Sequence, residues 1–378
     1  MPAEPTPGPY NALIDVPGIR VGHYGRSSDG YLGGTSVVLA PAGGMTGGVD
    51  VRGGGPGTRE TDLLDPIAAV ESVNAFVLTG GSAYGLASAG GVADTLGRDG
   101  IGFRVGPAAH EVVPIVPAAV IFDLGRGGDF HARPDAEFGS RALAHARSED
   151  PEAMAANGNV GVGVGALTAR MRGGVGNASL VLADGTTVAA LVVANATGSP
   201  FDPATGTLWG AGYLRQEDGP VPVPPSASEL AALLAVTARP NPALASVSGR
   251  VDPVSPAEPA ESADPPPGLV SHTTLAVIAT DATLTKAQCK KLAGIVHDGM
   301  ARALNPVHTM FDGDVAFAAA TGARPAPDVT AFFEILTAAA DVVTRAIVRA
   351  VLSAESVTTP AGTFRSYSDL APSTRPPR

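Results

Sequence analysis

Ser271-His272-Thr273-Thr274-Leu275-Ala276-Val277-Ile278-Ala279-Thr280-Asp281 is the stretch on which the reading of this chain turns. Before it runs a Pro- and Ala-rich segment with little to pack. At the two threonines an unbroken apolar run begins, the pattern of a strand buried on both faces. A hydroxyl residue at such a junction is placed to attack the peptide bond before it. The N-terminus freed in this way carries its own base, because a threonine α-amine can activate the hydroxyl of the same residue. The expectation is a precursor that cuts itself between His272 and Thr273. Paired threonines also open strands simply because β-branched residues suit them, so the surrounding chain must supply the machinery.

Downstream, Thr285-Lys286-Ala287-Gln288 is a capping box opening a helix with Leu292, Ile295, Val296 and Ala303 on one stripe. Residues 315–320 read as another apolar strand, and Asp328 caps a long helix carrying Ile335, Val342, Val343, Ile347 and Val351. Upstream, residues 179–182 and 187–195 form a hairpin around Asp184-Gly185. Residues 158–165 alternate Gly with Val and read as a strand whose glycine face lies on another backbone. Residues 19–22, 36–40 and 75–78 are further strands, and 112–124 is a buried strand interrupted by prolines. Ser82 is the expected N-cap of a small-residue helix over about 83–96. Residues 219–270 read as a flexible linker with one helical island behind Ser226, and the tail from Ala371 reads as disordered. Mixed strands and helices, with apolar strands that do not alternate, predict sheets covered by helices in a layered sandwich.

Composition narrows the function. Apolar residues make up 44% of the 378 and aromatics only 5%, so packing must rest on Ala, Val and Leu. A net charge of −11 argues against nucleic acid or an anionic membrane as partner. The single cysteine, Cys289, excludes an internal disulfide and suits a reducing cytoplasm; its place inside a predicted helix reads as a buried structural thiol. The start of the chain shows no basic region followed by an apolar one, so no signal peptide is expected. The longest apolar run, 112–122, contains Pro114 and Pro117 and is too short to span a bilayer. A soluble cytoplasmic protein is expected.

The chemistry can be placed around Thr273. Asp312 and Asp314 flank Gly313; Asp-Gly is a common turn, but an acidic pair near Thr273 can orient its hydroxyl and stabilise the ammonium formed on its amine. No further ligand follows at calcium-loop spacing, no two-histidine zinc pattern occurs, and His297 and His308 read as structural. Asn195, at the end of a predicted buried strand, either caps a turn or donates its amide to a developing oxyanion. Ser82 misses the nucleophile-elbow spacing because Ala83 and Tyr84 both separate it from Gly85, leaving it as a cap and pocket wall. The 161–165 glycines lack dinucleotide spacing, so no nicotinamide site, and no cofactor or metal, is expected.

Taken together, Asp50-Val51-Arg52-Gly53-Gly54, Leu78-Thr79-Gly80-Gly81-Ser82-Ala83-Tyr84-Gly85-Leu86, and Thr273-Thr274-Leu275 with His308-Thr309-x-x-Asp312-Gly313-Asp314 resemble one family. It holds the L-aminopeptidase/D-Ala-esterase-amidases, the β-peptidyl aminopeptidases and the 6-aminohexanoate-oligomer (nylon) hydrolases. The resemblance runs from about residue 11 to about 322. It implies a four-layer αββα sandwich, similar to N-terminal-nucleophile hydrolases but differently connected. It further implies self-cleavage into a larger chain, 1–272, and a smaller one, 273–378, assembled as a tetramer of processed protomers. By the resemblance Thr273 is the nucleophile, Asp312 and Asp314 assist it, and Asn195 lines the oxyanion hole. Ser82, Tyr84, Phe122 and Arg170 fall in the substrate pocket. Three positions depart from the family: His272 stands where threonine-type relatives carry Asn, Phe122 where some carry an active-site Tyr, and Arg170 or Arg172 near a pocket Lys. The implied substrates are short peptides or ω-amino-acid oligomers. Two other readings stay open, an acyltransferase of the ornithine-acetyltransferase kind and an uncleaved, non-catalytic homologue.

Overall fold

The computed structural model describes residues 4–237 and 272–374. Two five-stranded sheets form its frame. In chain order the strands are β1 (Arg20–Arg26), β2 (Gly33–Leu39), β3 (Thr46–Val51), β4 (Thr58–Arg59), β5 (Ala75–Thr79) and β6 (Ala118–Val120), then β7 (Gly174–Val181), β8 (Thr187–Ala194), β9 (Leu275–Ala282) and β10 (Val315–Arg324). The first sheet runs β1-β2-β5-β6-β4 and the second β7-β8-β9-β10-β3. Strand β3 leaves its sequence neighbours to close the second sheet, antiparallel to β10. Helices α1 (Ala87–Arg98) and α2 (Ala136–Ala146) cover the first sheet, and α3 (Lys286–Ala303) and α4 (Val329–Ser353) the second.

Side chains alternate along a strand, so each central strand feeds two cores. Val77 joins Val37 and Leu96 under the first helix layer. Its neighbours Phe76 and Leu78 point between the sheets, toward Leu191, Val277 and Phe317; the Phe76 and Phe317 rings stack at 4.7 Å. On β9, Leu275, Val277 and Ala279 face the inter-sheet core while Ala276 and Ile278 face α3 and α4. Both faces of β9 are therefore dry, which is why its sequence is apolar without alternation. The expected αββα sandwich is the observed one. The β7–β8 hairpin turns at Asp184-Gly185, the Thr285 capping box forms, and the Asp328 side chain caps α4. Cys289 is buried, which pushes its thiol up to about 12.

Local expectations are corrected at four places. Residues 158–165 are not a strand: Gly161–Val164 is a 3-10 turn, and only Gly158 bridges Val175. The close approach is real, since a Cβ on Gly163 would stand 2.6 Å from the Val175 nitrogen, but φ +49° at Gly161 ends the extended chain. Ser82 is not the cap. Gly81 is, and Ser82 starts a one-turn helix with its N–H spent on the Ile121 carbonyl at 3.0 Å. The tail is ordered past Ala371, for Pro372–Thr374 is a 3-10 turn with Thr374 buried and its carbonyl accepting from Val223 N–H at 3.0 Å. The start of the expected linker is packed as well: the helix Ala227–Thr237 buries Leu233 in a cluster with Tyr367, and Glu229 receives the Ser373 N–H at 2.8 Å. The rest of that linker, 238–270, and residues 375–378 lie outside the described residues. Among the described residues no helix is long and apolar enough to cross a membrane.

Candidate active site

Strand register assembles the site. Val193 pairs with Leu275, Leu275 with Val315, and Val315 with Val51. The residues just beyond these positions therefore meet in a row at one end of the second sheet: Asn195 after β8, Thr273 before β9, Gly313 and Asp314 before β10, and Gly53 after β3. Four segments far apart in sequence become neighbours without any long side chain having to reach.

The Thr273 backbone N–H donates to the Asn195 carbonyl at 2.6 Å, and its hydroxyl donates to the His272 carbonyl at 2.6 Å. That same carbonyl, on the peptide bond ahead of Thr273, accepts from Gly313 N–H at 3.1 Å. Asp314 receives the Thr274 N–H on Oδ1 at 2.6 Å and His308 Nδ1 on Oδ2 at 2.7 Å. Asp312 receives the N–H groups of Thr197 at 2.9 Å and Thr309 at 3.1 Å. In the continuous chain the Asp314 carboxylate thus braces the backbone just after Thr273 and the Asp312 carboxylate the loops at Thr197 and Thr309, while the Thr273 hydroxyl bonds the His272 carbonyl instead. The glycine cluster closes over them: Gly53 N–H reaches the Asp314 carbonyl and Gly55 N–H the Asp312 carbonyl. Thr273 is only 3% exposed and Asp314 1%, so this is a water-poor setting in which each polar contact counts for more.

The first sheet contributes the other wall. The loop after β6 carries Asp123 and Arg126 inward. Asp123 Oδ1 accepts from Gly81 N–H at 2.6 Å, and burial pushes its carboxyl up to about 6. Arg126 Nη1 donates to the Asn195 Oδ1 at 2.7 Å and to the Gly165 carbonyl at 2.6 Å. Asn195 is fully buried, and its Nδ2 has no hydrogen-bond partner among the described residues. Burial, together with the nearby Arg126 and Arg170 charges, draws His272 down to about 3, so its imidazole is neutral near pH 7.

Thr273, Asp312, Asp314, Asn195 and His272, all legible in the sequence, are thus brought together, with Arg170 close enough to His272 for its charge to be felt there. Arg170 sits at the tip of the tight turn between Leu167–Thr168 and Met171–Arg172, with Ala169 N–H on the Ala196 carbonyl at 3.0 Å. Half-buried Phe122 lies on the loop beside Asp123, and Ser82 opens its one-turn helix directly after Gly81, which bonds Asp123. Tyr84 is 57% exposed and stacks under the Arg133 guanidinium at 3.8 Å. Sequence reasoning gave no role to Arg126, Asp123 or Gly313 and read His308 as structural. The one available signal was a charged residue inside a glycine-rich loop, Gly125-Arg126-Gly127-Gly128, directly after an apolar strand. Among the described residues no group of three His, Cys, Asp or Glu side chains is set to hold a metal ion.

Comparison with known proteins gives this geometry its class. The model of peptidase family S58 matches residues 11–365. The chain is similar to an uncharacterized aminopeptidase of Mycobacterium leprae, at 42% identity over 369 residues and 92% of each chain. It is also similar to a 6-aminohexanoate-oligomer endohydrolase of a Kocuria species, at 29% identity over 318 residues, 82% of this chain and 74% of that one. Among solved structures, a Burkholderia beta-aminopeptidase shares the fold with a TM-score of 0.67 at 23% identity, over 100% of this chain and 98% of that one. The protein is an amide hydrolase. It belongs to peptidase family S58.

Proposed function

We propose that the chain is a precursor that cuts its own His272–Thr273 bond and then hydrolyses amides with Thr273 as an N-terminal nucleophile. One observation carries this reading. The His272 carbonyl is held between the Thr273 hydroxyl at 2.6 Å and the Gly313 N–H at 3.1 Å, a nucleophile on one side and an oxyanion donor on the other. Attack of Thr273 Oγ1 on that carbonyl carbon breaks the C–N bond and moves the acyl group to the hydroxyl. The nitrogen becomes the Thr273 α-amine, and water hydrolyses the ester to leave His272 as a carboxylate. The freed amine then accepts the Thr273 hydroxyl proton as Oγ1 attacks a substrate amide, the resulting ammonium gives that proton to the departing amine as the C–N bond breaks, and a second water hydrolyses the acyl-enzyme to the acid and restores Thr273. Asn195 Nδ2 is the donor for the substrate oxyanion. Asp314 and Asp312 hold the backbone and favour the ammonium that forms.

Short peptides with a free N-terminus and ω-amino-acid oligomers are the substrate classes supported by the named relatives. A cytoplasmic tetramer of processed protomers accords with the single cysteine and with exposed apolar side chains at Ile67, Val329 and Phe333, and light scattering on purified material tests the assembly. The function is tested on a denaturing gel and by N-terminal sequencing. Wild type is expected to yield two pieces, the smaller beginning Thr-Thr-Leu-Ala, and Thr273→Ala a single full-length chain without amidase activity. Two wild-type fragments from Thr273→Ala would end the proposal. An unperturbed α-amine titrates at about 7.7–8.0. kcat/KM for an aminoacyl anilide is therefore expected to climb with pH to that range and level off above it.

A further inference from the structure

We infer that Arg126 is the positioning residue of the oxyanion site, fixing the direction in which the Asn195 amide faces. The inference rests on the proposed reading of Asn195 as the donor. A side-chain amide has an oxygen end and an NH2 end of nearly equal shape, so its hydrogen-bond partners decide which way it turns. At Asn195 the choice is forced. Arg126 Nη1 stands 2.7 Å from the oxygen and Leu167 N–H 3.0 Å from the same atom. Neither neighbour can accept, since a guanidinium and a backbone N–H only donate. With the amide turned over, its NH2 would face two donors. As observed, both lone pairs of the oxygen are used and Nδ2 is left buried without a partner among the described residues. A donor left in that state is costly, which fits a group held ready for an oxygen that arrives only with substrate.

Arg126 is itself held in place. The same Nη1 reaches the Gly165 carbonyl at 2.6 Å, and the Asp123 charge supports the cation. Burial draws the guanidinium down to about 10, still well above neutral pH, so it remains charged where it sits. Lysine keeps the charge but places it on a flexible stem that fixes neither acceptor at a set angle. Asp123 also anchors Gly81 at 2.6 Å, so one loop of the first sheet aligns a donor on the second.

The test is a double-mutant cycle on self-cut protein, read as kcat and KM for an aminoacyl anilide. Asn195→Ala alone is expected to lower kcat by about 10²–10³-fold, the usual loss for one oxyanion donor. Arg126→Met is expected to lower kcat by roughly 10–100-fold with KM moving less than about threefold, because the loss falls on the transition state. Added to Asn195→Ala, it is expected to remove nothing more. Losses that multiply in the double variant overturn the inference, as does an Arg126→Met enzyme with undiminished kcat. A Met variant that fails to process is replaced by Arg126→Lys, held to the same non-additivity. Should Asn195→Ala keep full kcat, the oxyanion reading falls and Arg126 with it. A slow Asn195→Ala combined with multiplying losses sinks Arg126 alone.

Discussion

Gly313 does its work through a backbone N–H and through the side chain it lacks. Its N–H holds the His272 carbonyl at 3.1 Å, and a Cβ there would stand 2.7 Å from the Thr273 hydroxyl oxygen and 2.6 Å from the Gly55 carbonyl. Gly313→Ala must push either the Thr273 hydroxyl, the proposed nucleophile, or the glycine cover aside. Misplacement of about 1 Å is enough for a loss on the order of 100-fold. The half-time of precursor processing on a gel is expected to lengthen by at least that factor, and wild-type processing in the variant would refute the assignment. His308 can be probed in the same way. Its Nδ1 and its backbone N–H both meet Asp314 Oδ2, at 2.7 Å and 3.1 Å. His308→Ala is expected to lower kcat on the order of tenfold, and His308→Asn, which keeps a donor at the δ position, to restore most of it. Equal activity of wild type and His308→Ala would show that this bond is idle. Thr273, Asn195, Asp312 and Asp314 were readable because each lies where an apolar strand begins or ends. Gly313 and Arg126 were not, because their partners come from other strands.

Strands and helices meet most tightly where a glycine lets the backbones touch. On β7, a Cβ at Gly176 would stand 1.9 Å from the Ala346 carbonyl of α4. The contact sets the spacing between the second sheet and its outer helix layer. Gly176→Ala therefore forces the layers apart, and overpacking of this kind costs about 1–3 kcal/mol, occasionally more. A calorimetric melt is expected to shift down by several degrees; an unchanged melt would mean that the helix slides freely. Thr285→Ala removes one end of the α3 capping box and is expected to cost less, about 1 kcal/mol. Caps and turns of this sort are local chemistry, so the chain announces them. The 158–165 alternation misled because period two describes a strand only while φ stays negative, and the tertiary packing puts Gly161 in the left-handed region.

At the scale of the molecule, the proposed cut leaves two interlocked pieces. Strands β9 and β10 of the smaller piece lie between β8 and β3 of the larger. The buried Arg345 of α4 also grips Asp218 at 2.7 Å and the Ser179 carbonyl at 2.9 Å. The pieces are expected to co-elute under native conditions and separate only in denaturant. Sensitivity to acid follows from buried histidines. Burial lowers His23 and His272 to about 3 and His297 to about 4, with neighbouring charges, or the neighbouring His145 and His308 rings, adding to it. Each is neutral in the fold but takes up a proton when unfolded below about 6.5. Stability is therefore fully present above that pH and is lost as pH falls toward 4 and 3. Asp123, raised to about 6, works in the opposite sense and offsets part of this. The melting temperature is expected to drop between pH 6.5 and 4, and His23→Gln to flatten the drop; a flat wild-type profile would count against these burials.

The sequence by itself determined the central buried strands such as β9, the caps at Thr285 and Asp328, and the turn at Asp184-Gly185, because each depends on residues within a few positions of one another. Only the tertiary structure decided what surrounds Thr273 at the start of β9. Pairing of β8, β9, β10 and β3 aligns four strand ends, and packing of the sheets brings Arg126 onto Asn195. Such contacts join residues tens to hundreds of positions apart, and no local pattern along a chain encodes which strand will lie beside which.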